Sequence, residues 1–289
     1  MIPAAFDYHS VDTVPEAIEL LDRYGEDAKL LAGGQSLLAV LKLRLAKFGV
    51  LIDLGRIKSL REIAAVDGRV MIGAMATHNQ LGTTALTEGA FRAFRDAASE
   101  IGDPLVRNRG TFGGSLAQAD PAGDWPALAL AFGATIHVTN AKGPRPIAVD
   151  KFFTNLFTTA LEQGDVLTHI EFPRLEAGAS SAYVKIPHPA SGFAVAAAAV
   201  VLTLDDGGTC RQARIALTGV APTAFRAREA EAMIAGKRMD AALIRVVADQ
   251  IAESSEALTD NYASAEYRQN LAGVVTRKAI NLALKRSRH

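Results

Sequence analysis

Two glycine pairs each sit beside a hydroxyl residue, and bare backbone next to a hydroxyl is suited to binding phosphate. The first is Gly33-Gly34, followed by Gln35 and Ser36, in LLAGGQSLLAVLKLRL; the second is Gly113-Gly114, between Thr111 and Ser115, in GTFGGSLAQADPAGDWPAL. Glycine admits positive φ and lets an anion approach with no Cβ in the way, and the first amides of a helix point outward without partners. Leu30, Leu31 and Ala32 form an apolar run before the first pair, and Leu37, Leu38, Leu41 and Leu45 have helical spacing after it. That order predicts strand, glycine turn, helix start. One such turn taken alone is a weak signal and reads first as a plain tight connection. Recurrence of the same chemistry in the second motif points to a clamp for a diphosphate.

Carboxylates follow the second pair at Asp120 and Asp124, ahead of the apolar stretch Trp125 to Phe132. Phosphate would repel them, so Asp124 reads as an acceptor for a ribose hydroxyl, as an N-cap for the next helix, or both. Neither motif contains Gly-Lys-Ser/Thr, Lys42 lies too far into its helix for a P-loop, and the spacing is not GxGxxG. Kinase, ATPase and ordinary dinucleotide-fold readings therefore fall away. His9, His78, His137, His169, His188 and His289 show neither HExxH nor HxH spacing. Cys210 is the only cysteine, which excludes an internal disulfide and a cysteine-ligated cluster held by this chain alone, and fits a reduced cytoplasmic setting.

The runs AGGQS at Ala32 to Ser36 and RNRGTFGGSLAQADPAGDWPA at Arg107 to Ala127 resemble the two flavin-binding motifs of the medium, FAD-carrying subunit of molybdenum hydroxylases. That family includes carbon monoxide dehydrogenase, xanthine dehydrogenase and relatives acting on N-heterocycles. The resemblance runs from IPAAFDYHS at Ile2 to Ser10, through AYVKIPHPASGFAVAAAAV at Ala182 to Val200, to the closing basic helix. Phe112 stands where a small aliphatic is usual and Ser115 where asparagine is usual; neither removes a glycine or a backbone donor.

The resemblance implies an α+β fold: an FAD-binding domain of two subdomains, of the PCMH or vanillyl-alcohol-oxidase type, followed by a smaller domain. It implies FAD in this chain, held by Leu30, Leu31, Ala32, Gly33, Gly34, Gln35, Ser36 and Leu37 on one side. Thr111, Gly113, Gly114, Ser115, Asp120 and Asp124 would hold the other side. Ile101, Val166 and Leu167 resemble apolar contacts to the cofactor, though each also fits ordinary core. Lys185 resembles the position whose side chain reaches the isoalloxazine from the second domain, where a cation would stabilise reduced anionic flavin; the alternative is a surface strand lysine. Tyr183, on the same strand face, would cover the ring or pack between domains. The turn Ala76-Thr77-His78 lies near the flavin in the family, which singles out His78; the alternative is the structural role usual for a lone histidine. Arg107 and Arg109 would pair with a phosphate, with a partner's carboxylates, or with solvent.

Further expectations follow from the resemblance. Molybdopterin and [2Fe–2S] clusters would belong only to a large and a small partner subunit, in a dimer of heterotrimers. Electrons would pass from the clusters through FAD to an external acceptor. The location would be cytoplasmic, at most peripheral to the inner membrane through partners. A free-standing FAD-dependent oxidoreductase is the alternative, but it needs an acid or base near flavin N5 that no residue clearly supplies. A non-catalytic nucleotide-binding module is a third.

The elements that must position these residues are legible in outline. At 289 residues, 49% hydrophobic and 21% charged, the chain can bury a core large enough for two domains. Lys plus Arg and Asp plus Glu balance at 31 each, so no global field favours nucleic acid or an anionic membrane. No apolar run spans a bilayer, and the first residues lack the pattern of a secretion signal. Thr13 to Tyr24 reads as an amphipathic helix capped by Thr13 or Asp12. Val50 to Leu54, Ile63 to Val66 and Val70 to Gly73 read as strands, the last two joined at Asp67-Gly68. Helical signals follow at Gln80 to Thr84 and Phe91 to Ile101, then a turn-rich second motif, a helix opening at Ala127 to Leu130, and a strand at Thr135 to Val138. The small and polar residues from Pro173 to Ser181 mark a boundary near residue 177, giving domains 1–177 and 178–289. Beyond it, Ala182 to Ile186, Ala194 to Leu204 and Cys210 to Leu217 predict a three-stranded antiparallel sheet. Helices over Ala224 to Ala235, Asp240 to Ile251 and Tyr267 to Lys285 would cover one of its faces.

Overall fold

In the computed structural model, which describes residues 2–287 and leaves Met1, Arg288 and His289 outside it, three main sheets form three lobes around one cleft. The first lobe runs β1 (Asp7–Ser10), α1 (Val14–Tyr24), β2 (Ala28–Leu31), α2 (Leu37–Lys42) and β3 (Val50–Asp53). Its strands are parallel, in the order β1-β3-β2. Thr13 caps α1 by accepting from the Glu16 amide, Pro15 occupies the first turn, and Gly25 closes the helix at φ 55°. Ala17 and Leu21 of α1 bury against Val50, Ile52 and Leu54. β3 sits in the middle of the sheet and is buried on both faces, which accounts for its unbroken VLI run.

The second lobe contains β4 (Ile63–Val66), β5 (Arg69–Gly73), α3 (His78–Thr83), α4 (Ala93–Glu100), α5 (Pro104–Arg107), α6 (Phe112–Gln118) and α7 (Trp125–Phe132). It continues with β6 (Thr135–Asn140), β7 (Gly143–Ala148), the short pair β8 (Phe153–Asn155) and β9 (Thr158–Thr159), and β10 (Val166–Phe172). Its antiparallel sheet has the order β4-β5-β10-β6-β7. Phe94, Phe112, Trp125, Phe132 and Phe172 meet edge-on or tilted beneath that sheet. The expected turn-rich second motif is instead a helix: Gly113 and Gly114 lie in the first turn of α6, with Thr111 as its N-cap.

The third lobe comprises β11 (Ala179–Pro187), β12 (Ala194–Leu204), β13 (Cys210–Thr218), β14 (Phe225–Arg226), α8 (Arg228–Ile234), α9 (Ala241–Ser254) and α10 (Ala265–Arg286). The three expected strands are antiparallel as read, and β14 adds a two-residue edge opposite Ala216 and Leu217, giving the order β11-β12-β13-β14. Ala198, Val200 and Leu202 of β12 face α9 and α10, while Ala197, Ala199 and Val201 join the aromatic core of the second lobe. Burial on both faces explains the alanine-rich sequence of β12, because small side chains let both layers approach. Arg286 at the end of α10 closes this junction with two bonds to Asp96 of α4, at 2.6 and 2.9 Å.

Candidate functional site

The lobes enclose a cleft of about 670 Å³, within the range of small-molecule and cofactor sites. β2 ends at its centre, and the chain turns sharply through Gly33 and Gly34, the latter at φ +74°. A Cβ on Gly33 would lie 2.1 Å from the carbonyl oxygen of Arg109 and 2.8 Å from Cα of Gly110, so the first motif rests directly on the lead-in to the second. A Cβ on Gly114 would reach 3.5 Å from Cβ of Ala32, which closes the contact from the other side. The two glycine motifs, far apart in sequence, form one wall.

Their amides are spent differently. The carbonyls of Gly34 and Ser36 accept from Leu38 and Val40 of α2, but the N–H groups of Gly33, Gly34, Gln35 and Ser36 have no acceptor among the described residues. Successive free amides around a left-handed glycine make a concave anion site. In α6, by contrast, Phe112 N–H donates to Ala76 O and Gly113 N–H to Ala74 O, both at 2.9 Å, and Gly114 N–H donates to Thr111 Oγ1 at 3.2 Å. Gly113 and Gly114 thus permit close packing, and their amides already have acceptors within the protein. A Cβ on Gly113 would lie 2.6 Å from Cβ of Ala74. In the second motif Thr111 and Ser115 line the cleft, and the Thr111 N–H and the Ser115 hydroxyl have no partners among the described residues.

Most of the predicted residues line this space: Leu30, Ala32 through Leu37, Ile101, Thr111, Gly113, Gly114, Ser115, Asp120, Asp124 and Leu167. Three do not. Leu31 packs beside Gly34, and Val166 is enclosed in the core beneath the parallel sheet. Lys185 is also withdrawn from the cleft. Its Nζ lies 2.8 Å from Asp124 Oδ1 and donates to the carbonyl of Glu100 at 2.7 Å, with no side-chain exposure. Tyr183 packs between the domains and donates its hydroxyl to the same Asp124 oxygen at 2.6 Å. Burial pushes the Asp124 carboxyl up while the Lys185 cation pulls it down, and burial with Asp124 holds the Tyr183 phenol well above its usual range. Asp124 stands at the N-cap position of α7 but makes no capping bond. Asp120 accepts from the Ala122 amide at 2.9 Å, and burial raises its carboxyl.

His78 opens α3 against the same wall; Trp125 Nε1–H donates to its Nδ1 at 2.9 Å, and burial lowers the ring to about 4. Arg107 turns inward onto the carbonyls of Ile101 and Gly102, at 3.1 and 2.9 Å, rather than toward a phosphate. Two wall segments had no counterpart in the sequence reading. One is Phe157 to Asp165, entered through a left-handed Phe157 at φ 51°; the other is Ser191-Gly192-Phe193, between β11 and β12. The second carried a legible turn signal in its Pro-Ala-Ser-Gly wording, without a partner to show what it faced.

Comparison with known proteins gives two family matches in tandem: the FAD binding domain in molybdopterin dehydrogenase over residues 4–175, and the CO dehydrogenase flavoprotein C-terminal domain over residues 181–283. The chain belongs to the FAD-binding medium subunits of molybdenum hydroxylases. It is 39% identical to the carbon monoxide dehydrogenase medium chain of Afipia carboxidovorans, covering 100% of both chains. It is 38% identical to the medium chain from Hydrogenophaga pseudoflava, covering 99% of each. The solved carbon monoxide dehydrogenase of H. pseudoflava lacking the Mo-pyranopterin moiety superposes with a TM-score of 0.95 at 41% identity, over 99% of both chains. The family resemblance and the α+β fold expected from the motifs both hold. This medium subunit is thus an oxidoreductase component whose cofactor is FAD. Among the described residues no cluster of His, Cys, Asp or Glu is arranged to hold a metal, and no helix is long and apolar enough to cross a membrane.

Proposed function

We propose that this subunit carries FAD in the three-lobed cleft and relays electrons from [2Fe–2S] clusters of a small partner, fed by a molybdopterin centre in a large partner, to an external acceptor. The free amides of Gly33, Gly34, Gln35 and Ser36 carry this reading. Four adjacent donors on a cleft wall fit a diphosphate. Beside them on the same wall, the Thr111 N–H and the Ser115 hydroxyl complete the cradle, and Gly113 and Gly114 let α6 approach it.

When bound, FAD supplies the capacity to take electrons singly or in pairs. The protein binds and orients it. Leu30, Leu37, Ile101 and Leu167 supply apolar wall on either side of the diphosphate turn, and Asp120 and Asp124 offer carboxylate oxygens for hydroxyl groups. Leu31 and Val166 act one layer back, as packing under the wall. Lys185 and Tyr183 act through Asp124, fixing its position and offsetting its charge. Division near residue 177 belongs to the same reading, with Ser191 to Phe193 of the second domain closing the cleft. Assembly as a dimer of heterotrimers, a cytoplasmic location and any peripheral membrane association through partners complete it.

Co-purification of the chain with its untagged neighbours, followed by an absorption spectrum and metal analysis, tests the proposal. Flavin, iron and molybdenum with two further chains are expected. A lone flavin-loaded chain with full turnover on an organic substrate would overturn it.

A further inference from the structure

His78 meets the cleft with one nitrogen only. The Trp125 indole is a donor and never an acceptor, so its bond to Nδ1 requires that nitrogen to be unprotonated and places the proton of the neutral ring on Nε2. Nε2 has no hydrogen-bond partner among the described residues, yet it is not among their enclosed unpaired atoms, and the ring lines the cleft. Its neighbour is Gly110, where a Cβ would lie 2.5 Å from Nε2. On its other side Gly110 supports Gly33, whose own Cβ would sit 2.8 Å from Gly110 Cα. The Nε2–H therefore stands one glycine away from the row of free amides. The residue is 6% exposed overall, and Nε2 keeps some of that exposure where the ring lines the cleft.

We propose that His78 is a positioning residue for the cofactor: a neutral Nε2–H donor, held in one tautomer by Trp125, that hydrogen-bonds an oxygen of the FAD diphosphate. This rests on the reading of the cleft as an FAD site. A charged acceptor makes a shorter and stronger hydrogen bond to such a donor than a neutral one does. Burial keeps the ring from becoming a cation, and a protonated Nδ1 would confront the indole N–H directly. The wall gains a directional donor without a fixed charge.

The test is fluorescence titration of the full-length, flavin-stripped chain with FAD, with ADP, which carries adenosine and the diphosphate but no flavin, and inorganic pyrophosphate as competitors. His78→Leu is expected to weaken FAD and ADP alike, by about tenfold to a hundredfold. His78→Gln keeps an acceptor for Trp125 and a donor toward the cleft, and is expected to stay within about threefold of wild type. Gly110→Ala, which covers Nε2 while leaving the histidine in place, should reproduce the loss if the leucine variant does not fold. Unchanged affinities in the leucine and alanine variants would overturn the proposal. So would loss of FAD binding with ADP untouched, which would move the bond to another part of the cofactor. Equal losses in the leucine and glutamine variants would reduce the ring to packing. Failure of the wild-type chain to take up FAD would instead overturn the reading of the cleft itself.

Discussion

A methyl group on Gly33 would lie 2.1 Å from the backbone oxygen of Arg109, and backbone cannot swing aside as a flexible side chain can. Gly33→Ala should therefore displace the turn that carries the free amides and abolish flavin retention. Gly114→Ala crowds the Thr111 hydroxyl at 2.6 Å and meets Ala32 Cβ at an ordinary 3.5 Å, so it should disturb the cap of α6 at a cost of about 1 kcal/mol while flavin stays bound. The flavin-to-protein absorbance ratio after gel filtration separates the two; equal loss would mean that the close approach of α6 matters to the site as much as the first turn does. His78 adds a pH signature. Its ring titrates at about 4 in the fold against 6.5 for the free side chain, so between those values the unfolded chain binds a proton that the folded chain refuses. Stability should fall as pH drops through that window, by about 3 kcal/mol in total, and be fully present above it. His78→Gln should remove this component, so that wild type and variant diverge below pH 6.5 in urea unfolding; parallel curves would show that the ring protonates without cost. The glycines were legible because each pair stands beside a hydroxyl residue, and His78 through the family resemblance of its turn. Which amides were free was not legible, because that depends on Ala74 and Ala76 offering carbonyls to α6.

At the scale of elements, β11 alternates so that Tyr183 and Lys185 share a face, and that face meets the start of α7 at Asp124. The sequence pattern identified the shared face correctly but could not say what stood opposite. A buried lysine beside a buried carboxylate looks the same in one dimension as a lysine reaching a ligand. Lys185→Met should leave Asp124 enclosed with one neutral partner and cost about 3–5 kcal/mol in denaturant unfolding, while adding Asp124→Asn should recover part of it. A single-variant cost below about 1 kcal/mol would mean that water screens the pair. Amphipathic α1, the β4–β5 hairpin at Asp67-Gly68 and the long strands of the third lobe were readable because local preference and tertiary need agree there. α6 was not: two glycines at its start argue against a helix, and it forms because the Ala74 and Ala76 carbonyls satisfy its first amides. β7 was obscured by Pro144 and Pro146, which an edge strand tolerates, and β10 by the half-exposed Thr168, His169 and Glu171 on its outer face.

Across the whole molecule the lobes are unequally joined. β12 is common ground between the second and third lobes, with Ala197, Ala199 and Val201 in one core and Ala198, Val200 and Leu202 in the other, and the Asp96–Arg286 pair locks the same junction. Those two lobes should unfold together. The parallel lobe has a separate, smaller core, to which the rest of the chain contributes residues such as Leu60, Met75 and Val166, and it borders the cleft through β2 and the glycine turn. A ligand lying across that turn therefore supplies a large share of what holds this lobe in place. FAD at a hundredfold excess over its Kd should add about 2.7 kcal/mol, unevenly distributed. Hydrogen exchange should slow most in Ala28–Leu31 and Val50–Asp53, and least in Ala194–Leu204, when FAD is restored to the stripped chain. Equal slowing in both sheets would show that the lobes already act as one cooperative unit without the cofactor, and that the glycine contact between Gly33 and Gly110 is a stronger joint than its size suggests.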